Sequence, residues 1–292
     1  MCIRDRLSTR YLQLFLGEQA APMPENAYQG ADIIEHAKRF AELYGDQYVS
    51  ASEEERKKAL VDYALPLNIA QLKTDLFKYR ISYDVWFRES SLYQQEAVQK
   101  VVDQLTQNGY TYQKEGAVWY QNIKVQTQRL LAQGKTQQEI DKLELKDDVL
   151  IRANGYPTYF AADIAYHYNK FVVRHFDRVI NIWGADHHGH VARLQGAMDA
   201  IGLDGSKLDI VLMQMVRLIR DGQPVKVSKR TGKSITLVNL LDEIPIDAAR
   251  FFFNLREANS HLEFDLDLAV EQSAKNPVYY VQYAHARICS IN

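Results

Sequence analysis

Val179-Ile180-Asn181-Ile182-Trp183-Gly184-Ala185-Asp186-His187-His188-Gly189-His190 divides at its first glycine. The opening five residues are β-branched or aromatic around one asparagine, a run of the length and kind that forms a buried strand. After it come an acid and three histidines, which read as a strand-to-helix turn with a helix starting near His190. A strand apolar on both faces belongs to a parallel sheet covered by helices. In open parallel sheets ligands gather beyond the carboxyl ends of the strands, which is where this turn lies. Gly184 would let a nucleotide approach the backbone, and Asp186 would accept hydrogen bonds from ribose hydroxyls. Three histidines and an acid also raise a metal reading. A compact cluster in one turn rarely aims all its ligands at one ion, and no matching cluster lies elsewhere, so no metal is expected.

Working outward, strand and helix patterns alternate. Upstream lie a strand candidate at 81–87, a helix from about Gln94 to Gln107, and a hairpin from Tyr110 to Tyr120 turning at Glu115-Gly116. Val98, Val101, Val102 and Leu105 share one face of that helix, and Gly109 is placed to end it. Residues 122–147 are polar and rich in Gln and Lys and read as a surface insertion. A short strand at 149–152 and a break at Gly155-Tyr156-Pro157 precede a helix from Thr158 to about Phe171. Downstream, a strand at 210–216 leads to a loop and a helical C-terminus. Near the N-terminus residues 1–45 read as helical, with a loop at 23–26 and an amphipathic stretch at 33–43, while 53–58 is a charge run on a solvated face. The alternation argues for an α/β fold with a parallel sheet.

Bulk properties agree with a soluble globular protein. The 292 residues are 47% hydrophobic and 25% charged, long enough for one large domain or two small ones. Cys2 and Cys289 have no C-x-x-C spacing, which disfavours a zinc site or a disulfide framework and makes a reducing cytoplasm the expected location. No apolar run approaches the roughly 18–20 residues that cross a bilayer, so no membrane contact is expected. A net charge of −2 means that any RNA contact must come from a local basic surface.

One such surface is evident. From Arg217 to Lys233 there are six basic residues against one acid, Asp221. Within that stretch Lys226-Val227-Ser228-Lys229-Arg230 sets two lysines three apart around a small hydroxyl residue, with glycines on both sides. Lysine is a compact charge on a long stem, suited to following phosphate charge during a reaction. On charge alone a solvated basic loop is an equal reading. Gly232-Lys233-Ser234 is not the end of a P-loop, because the required earlier glycine is Val227. In the helix beginning at Thr158, Tyr159 and Asp163 stand one turn apart on one face. By pattern alone that helix is an ordinary amphipathic one.

These stretches taken together resemble the arginine–tRNA ligases (arginyl-tRNA synthetases) of bacterial type, in the class I aminoacyl-tRNA synthetase family. Lys226-Val227-Ser228-Lys229 resembles the family's K-M-S-K signature with Val for Met. Thr158-Tyr159-Phe160-Ala161-Ala162-Asp163-Ile164-Ala165-Tyr166-His167 is close to the family form in which the Tyr and Asp face the arginine side chain. The stretch Tyr83 to Tyr93 resembles the strand carrying a substrate-binding glutamate, here Glu89. His187-His188-Gly189-His190 fits the letters H-x-G-H, but its place so near the lysine loop matches the family's G-x-D-x-x-x-H element instead. Residues 246–253 and 276–287 are near the family form as well.

The resemblance implies a class I Rossmann-like catalytic domain over 1–270 that lacks its H-x-G-H part, with an insertion near 121–147. It implies that 271–292 begin a helical anticodon-binding domain, and that the chain is a fragment inactive alone. It further implies activation of L-arginine by ATP with Mg2+, transfer to the arginine tRNA, a monomeric cytoplasmic enzyme, and activation that depends on bound tRNA. Lys226, Ser228 and Lys229 would be catalytic. Glu89, Tyr159, Asp163 and His187 would hold arginine, and Gly184, Asp186, His190, Met215 and Val216 would meet ATP. Physically, a guanidinium presents only donors and is read best by carboxylates. Two acids also reject neutral amino acids, because an empty acid pair is left uncompensated. Two alternatives stay open: a class I synthetase of another specificity, and a non-catalytic RNA- or arginine-binding paralogue.

Overall fold

A computed structural model of the chain describes residues 3–23, 30–225 and 235–291. The described chain packs as two units, one of residues 1–84, 217–255 and 263–292, the other of residues 85–216 and 256–262. The first unit opens with α1 (Ile3–Leu16), α2 (Ala31–Tyr44) and α3 (Glu53–Lys78). Leu7, Tyr11, Phe40 and Leu60 close its helical core. The charge run starts α3, where Ser52 caps the helix and three glutamates occupy the first turn, the favourable sign at a helix N-terminus. Of the expected loop at 23–26, residues 24–26 lie outside the described residues.

The second unit carries α4 (Ser90–Gln94), α5 (Ala97–Gln107), β1 (Thr111–Lys114), β2 (Ala117–Tyr120), α6 (Asn122–Ala132), α7 (Gln137–Asp141), β3 (Asp148–Ile151), α8 (Tyr159–Tyr168), β4 (Val179–Gly184), α9 (His188–Ala200) and β5 (Leu208–Met213). Returning to the first unit, the chain forms β6 (Val216–Arg220), β7 (Gln223–Pro224), α10 (Leu237–Glu243), α11 (Ile246–Phe253), β8 (Leu262–Asp265), α12 (Leu266–Val270) and α13 (Pro277–Ile291).

In the second unit the decisive stretch folds as read. β4 pairs in parallel with β5 from Val179↔Leu208 to Gly184↔Met213, one turn of 3-10 helix spans Ala185–His187, and α9 follows. Val98, Val101, Val102 and Leu105 of α5 are buried against Ile164, Leu194 and Met198 in one core. The hairpin turns at Glu115 and Gly116, both at positive φ, as a two-residue turn between twisted strands requires.

Four expectations need correction. Residues 81–87 form no strand; the segment is irregular with a bend at Asp84, and Phe87 stacks on Tyr166 at 4.4 Å instead of entering a ladder. β3 joins β1 and β2 in an antiparallel sheet, so it does not extend the parallel pair β4–β5, which stands as a two-stranded sheet. The strand expected at 210–216 is two strands, since β5 ends at Met213 and β6 turns back against β7. β4 is not buried on both faces either: Ile180 and Ile182 are exposed while Val179 and Asn181 are buried.

The polar segment 122–147 also departs from a surface insertion. Asn122, Val125, Gln126 and Ile140 are buried, and the Gln126 side chain donates to the Ala192 carbonyl of α9 at 2.8 Å. α6 approaches α9 so closely at Gly196 that a β-carbon there would meet the Gln126 amide at 2.3 Å.

Candidate functional site

The second unit's site is built on α8. Thr158 starts the helix by accepting from the Ala161 amide and ties it to β3 by donating to the Val149 carbonyl at 2.8 Å. Such a cap is worth about 1 kcal/mol. Phe160, Ala161, Ala162, Ile164, Ala165 and His167 are buried. That leaves Tyr159 and Asp163 on the open face, one turn apart, while Tyr166 is half-buried under Phe87. Tyr159 is 81% exposed, so its ring is open to solvent.

Glu89 sits just before α4 and Tyr93 one turn further along it. Burial holds the Tyr93 phenol above its ordinary pKa, reinforced by the negative charge of Glu89, by Tyr159, by a hydrogen bond to Glu89 and by Asp163. The two acids expected from the sequence therefore both bear on one tyrosine, with Tyr159 beside it.

Beneath α8 runs a buried polar chain. His167 Nδ1 meets the Asp163 carbonyl at 2.7 Å, its Nε2 meets the Asn181 amide of β4 at 2.7 Å, and Lys170 donates to Asn181 at 3.0 Å. Burial is the main reason the His167 imidazole is pushed down to about 4, with the Lys170 charge adding to it; burial likewise lowers Lys170 to about 8. His167 is thus neutral and holds the backbone at Asp163 in place.

The remaining expected residues divide. His190 lies against Asp163, Nε2 to Oδ2 at 3.0 Å. Asp186 and His187 are exposed at the carboxyl end of β4, 3.8 Å apart. A β-carbon on Gly184 would stand 2.5 Å from the Asp186 carboxylate, so the glycine makes room for that acid to fold back. Met215 is 82% exposed just past β5, and Val216 is half-buried. Lys226, Ser228 and Lys229 lie outside the described residues.

A cleft of about 820 Å³ opens between α8, α9 and the α6–α7 segment, with Tyr159, Asp163, Asp186, His187 and His190 on one wall and Asn122, Gln126 and residues 143–146 on another. Glu89 does not line this cleft, and neither does Tyr93. Glu144, Asp148, Asp163 and Asp186 face Lys146 and Arg193 in the lining, a balance that favours a cationic guest. Among the described residues no cluster of His, Cys, Asp and Glu is arranged to hold a metal ion, and no helix is long and apolar enough to cross a membrane.

Sequence reading overlooks Tyr93, His167, Arg193 and Asp148. Tyr93 stands four residues after Glu89, and Arg193 stands three after His190, so helical spacing carried a signal for both. His167 repeats the spacing from Asp163. Nothing local marks Asp148, which enters from β3.

Comparison with known proteins sharpens the assignment. The family profile described as tRNA synthetases class I (R), catalytic domain, matches residues 45–289. An arginine–tRNA ligase from Caldanaerobacter subterraneus is 56% identical over 98% of this chain and 47% of its own length. One from Ruminiclostridium cellulolyticum is 52% identical over 98% of this chain and 48% of its own. The chain thus spans about half the length of the curated relatives it matches. Among solved structures, an arginyl-tRNA synthetase from Campylobacter jejuni superposes with a TM-score of 0.79 at 34% identity, covering 98% of this chain and 59% of that one. With 245 consecutive residues matched by the family profile, the chain belongs to the class I tRNA synthetases of the arginine type.

Proposed function

We propose that the chain carries the arginine-recognition site of an arginine–tRNA ligase, which joins L-arginine to its tRNA at the expense of ATP. What supports the reading is a cleft that brings Asp163 and the exposed ring of Tyr159 together with an excess of acids, while Glu89 and Asp163 both act electrostatically on the Tyr93 phenol. A guanidinium entering between two carboxylates forms charge-assisted hydrogen bonds, each stronger than a neutral one. Tyr159 would supply a flat face for the same planar group.

Chemistry then follows from positioning. A carboxylate oxygen of arginine attacks the α-phosphorus of ATP, the bond to pyrophosphate breaks, and arginyl-adenylate forms. A hydroxyl of the tRNA's terminal adenosine next attacks the arginyl carbonyl, and AMP leaves. Both steps need alignment and charge stabilisation more than proton transfer. Lys226 and Lys229 would neutralise charge growing on the phosphates, with Ser228 supporting their loop and Mg2+ accompanying ATP. Gly184, Asp186, Met215 and Val216, at the carboxyl ends of β4 and β5, are suited to adenosine. His187 would contact the amino acid. Residues from 271 onward, with α13 among them, would begin the helical anticodon-binding part. The working enzyme is proposed to be monomeric and cytoplasmic.

The test is charging by a protein of the relatives' full length that carries this sequence, given ATP, tRNA and each amino acid in turn. Arginine alone should support pyrophosphate release and tRNA charging. Support by another amino acid in place of arginine overturns the reading.

A further inference from the structure

His190 meets a carboxylate on one side and a guanidinium on the other. Its Nε2 is 3.0 Å from Asp163 Oδ2, and its Nδ1 is 2.8 Å from Arg193 Nη2. Arginine has only donors, so Arg193 must donate to Nδ1, and the imidazole proton must then reside on Nε2 and point at Asp163. Arg193 also forms an ion pair with Asp148 of β3 through its Nη1. Packing holds the ring in this orientation, with Trp183 and Phe160 each 5.4 Å from the His190 centroid and Arg193 itself 5.5 Å from the Phe160 ring. The His190 side chain is only 17% exposed.

We propose that Asp148, Arg193 and His190 form a positioning relay that fixes the carboxylate of Asp163 for a guanidinium. The proposal rests on the arginine reading of the site. Without Arg193 the imidazole would be free to carry its proton on Nδ1, and a bare Nε2 would then turn a lone pair toward the acid. With Arg193 in place that tautomer is excluded. Oδ2 of Asp163 is engaged by a donor, and Oδ1 is left to accept from the substrate. Asp148 supplies the negative charge that keeps Arg193 beside the ring and away from the substrate's own cationic end. None of the three needs to touch arginine, and together they determine how Asp163 is presented. Partners that orient the primary ligand in this way are known to matter by an order of magnitude or more in other sites.

Three variants of the full-length enzyme carrying this sequence separate the outcomes, read as KM for arginine and KM for ATP. His190→Phe keeps the packed ring and removes the donor, and arginine KM should rise roughly tenfold, the loss expected for one hydrogen bond to a charged group. ATP KM should not move. His190→Gln, whose amide reaches near the position of Nε2, should recover most of that loss, which a merely structural role would not produce. Arg193→Met keeps the stem over Phe160, removes the donor to Nδ1 and should raise arginine KM by a smaller factor. Unchanged arginine KM in His190→Phe and Arg193→Met overturns the relay, as does a rise in ATP KM in its place. Asp163→Asn in the same assay distinguishes the levels: if it too leaves arginine KM unchanged, the arginine reading has failed, whereas if it alone raises KM, only the relay has.

Discussion

Replacing Asp163 by Asn tests the site with minimal disturbance of its shape. The variant amide can turn its oxygen to His190 Nε2, which lies 3.0 Å from Oδ2, and so keep that hydrogen bond. Its other arm becomes an NH2 group, which meets a guanidinium donor to donor. Two independent routes give the size of the loss. A hydrogen bond to a charged group is worth about 1.5–3 kcal/mol. The Coulomb energy of a carboxylate and a guanidinium about 4 Å apart lies between roughly 1 and 4 kcal/mol as the surroundings go from water to protein surface. The Asp163 side chain is 44% exposed, so solvent screening excludes the upper end. About 2–3 kcal/mol remains, or roughly a 30- to 150-fold rise in KM for arginine. Steady-state aminoacylation with arginine varied at saturating ATP and tRNA measures it, with the ATP titration as control. A change below about threefold, or an equal change in both substrates, would refute the assignment of Asp163 to the guanidinium.

Other predictions address the loop, the core and the buried network. Lys229→Ala should lower the turnover of the full-length enzyme well over tenfold, since one lost phosphate contact costs about 2–4 kcal/mol; unchanged turnover removes Lys229 from the chemistry. Leu194, fully buried in the second unit's core, should cost about 2–5 kcal/mol when cut to alanine, read by denaturant unfolding. Gly196→Ala should displace the Gln126 amide and break its hydrogen bond to the Ala192 carbonyl, at a cost of about 1–3 kcal/mol read by denaturant unfolding, and an unchanged midpoint would contradict this. His167 has a folded pKa near 4 against an ordinary value of 6.5, so the unfolded chain takes up the proton first as pH falls. Stability should therefore drop between pH 6.5 and 4, by up to about 3 kcal/mol from this group, and flatten below. His167→Gln should show a shallower decline over the same window, and identical slopes in both proteins would rule the histidine out as its source.

Local physics made most of the second unit legible. The four apolar positions of α5 could be read because a helix repeats every 3.6 residues, and the hairpin because Glu115-Gly116 accepts positive φ. Segment 81–87 misled for the opposite reason. Its β-branched and aromatic residues satisfy the composition of a strand, but strand formation needs a neighbouring edge, and Phe87 is engaged by Tyr166 instead. Residues 122–147 misled by average polarity, which conceals that Val125 and Ile140 turn inward together with the polar Asn122 and Gln126, while Ile123, Leu131 and Leu143 stay exposed. At the site, spacing set Tyr159 and Asp163 on one helix face, but pattern alone left that helix an ordinary amphipathic one, and the family resemblance singled the pair out. The pairing of His190 with Asp163 did not, because it joins two helices 27 residues apart in sequence. Asp148 was beyond reach altogether, being brought to Arg193 only by the fold of β3.

Citrulline offers the most direct measurement. It matches arginine in length and shape but replaces the charged guanidinium by a neutral urea, so discrimination between the two reports on Glu89 and Asp163 and little else. The account predicts that the full-length enzyme prefers arginine by at least about a hundredfold in kcat/KM, the scale of two charge-assisted contacts. It also predicts that the preference largely collapses in the Glu89→Gln, Asp163→Asn double variant. Equal discrimination in the parent and the double variant would contradict it, because the charge of arginine would then be read somewhere else.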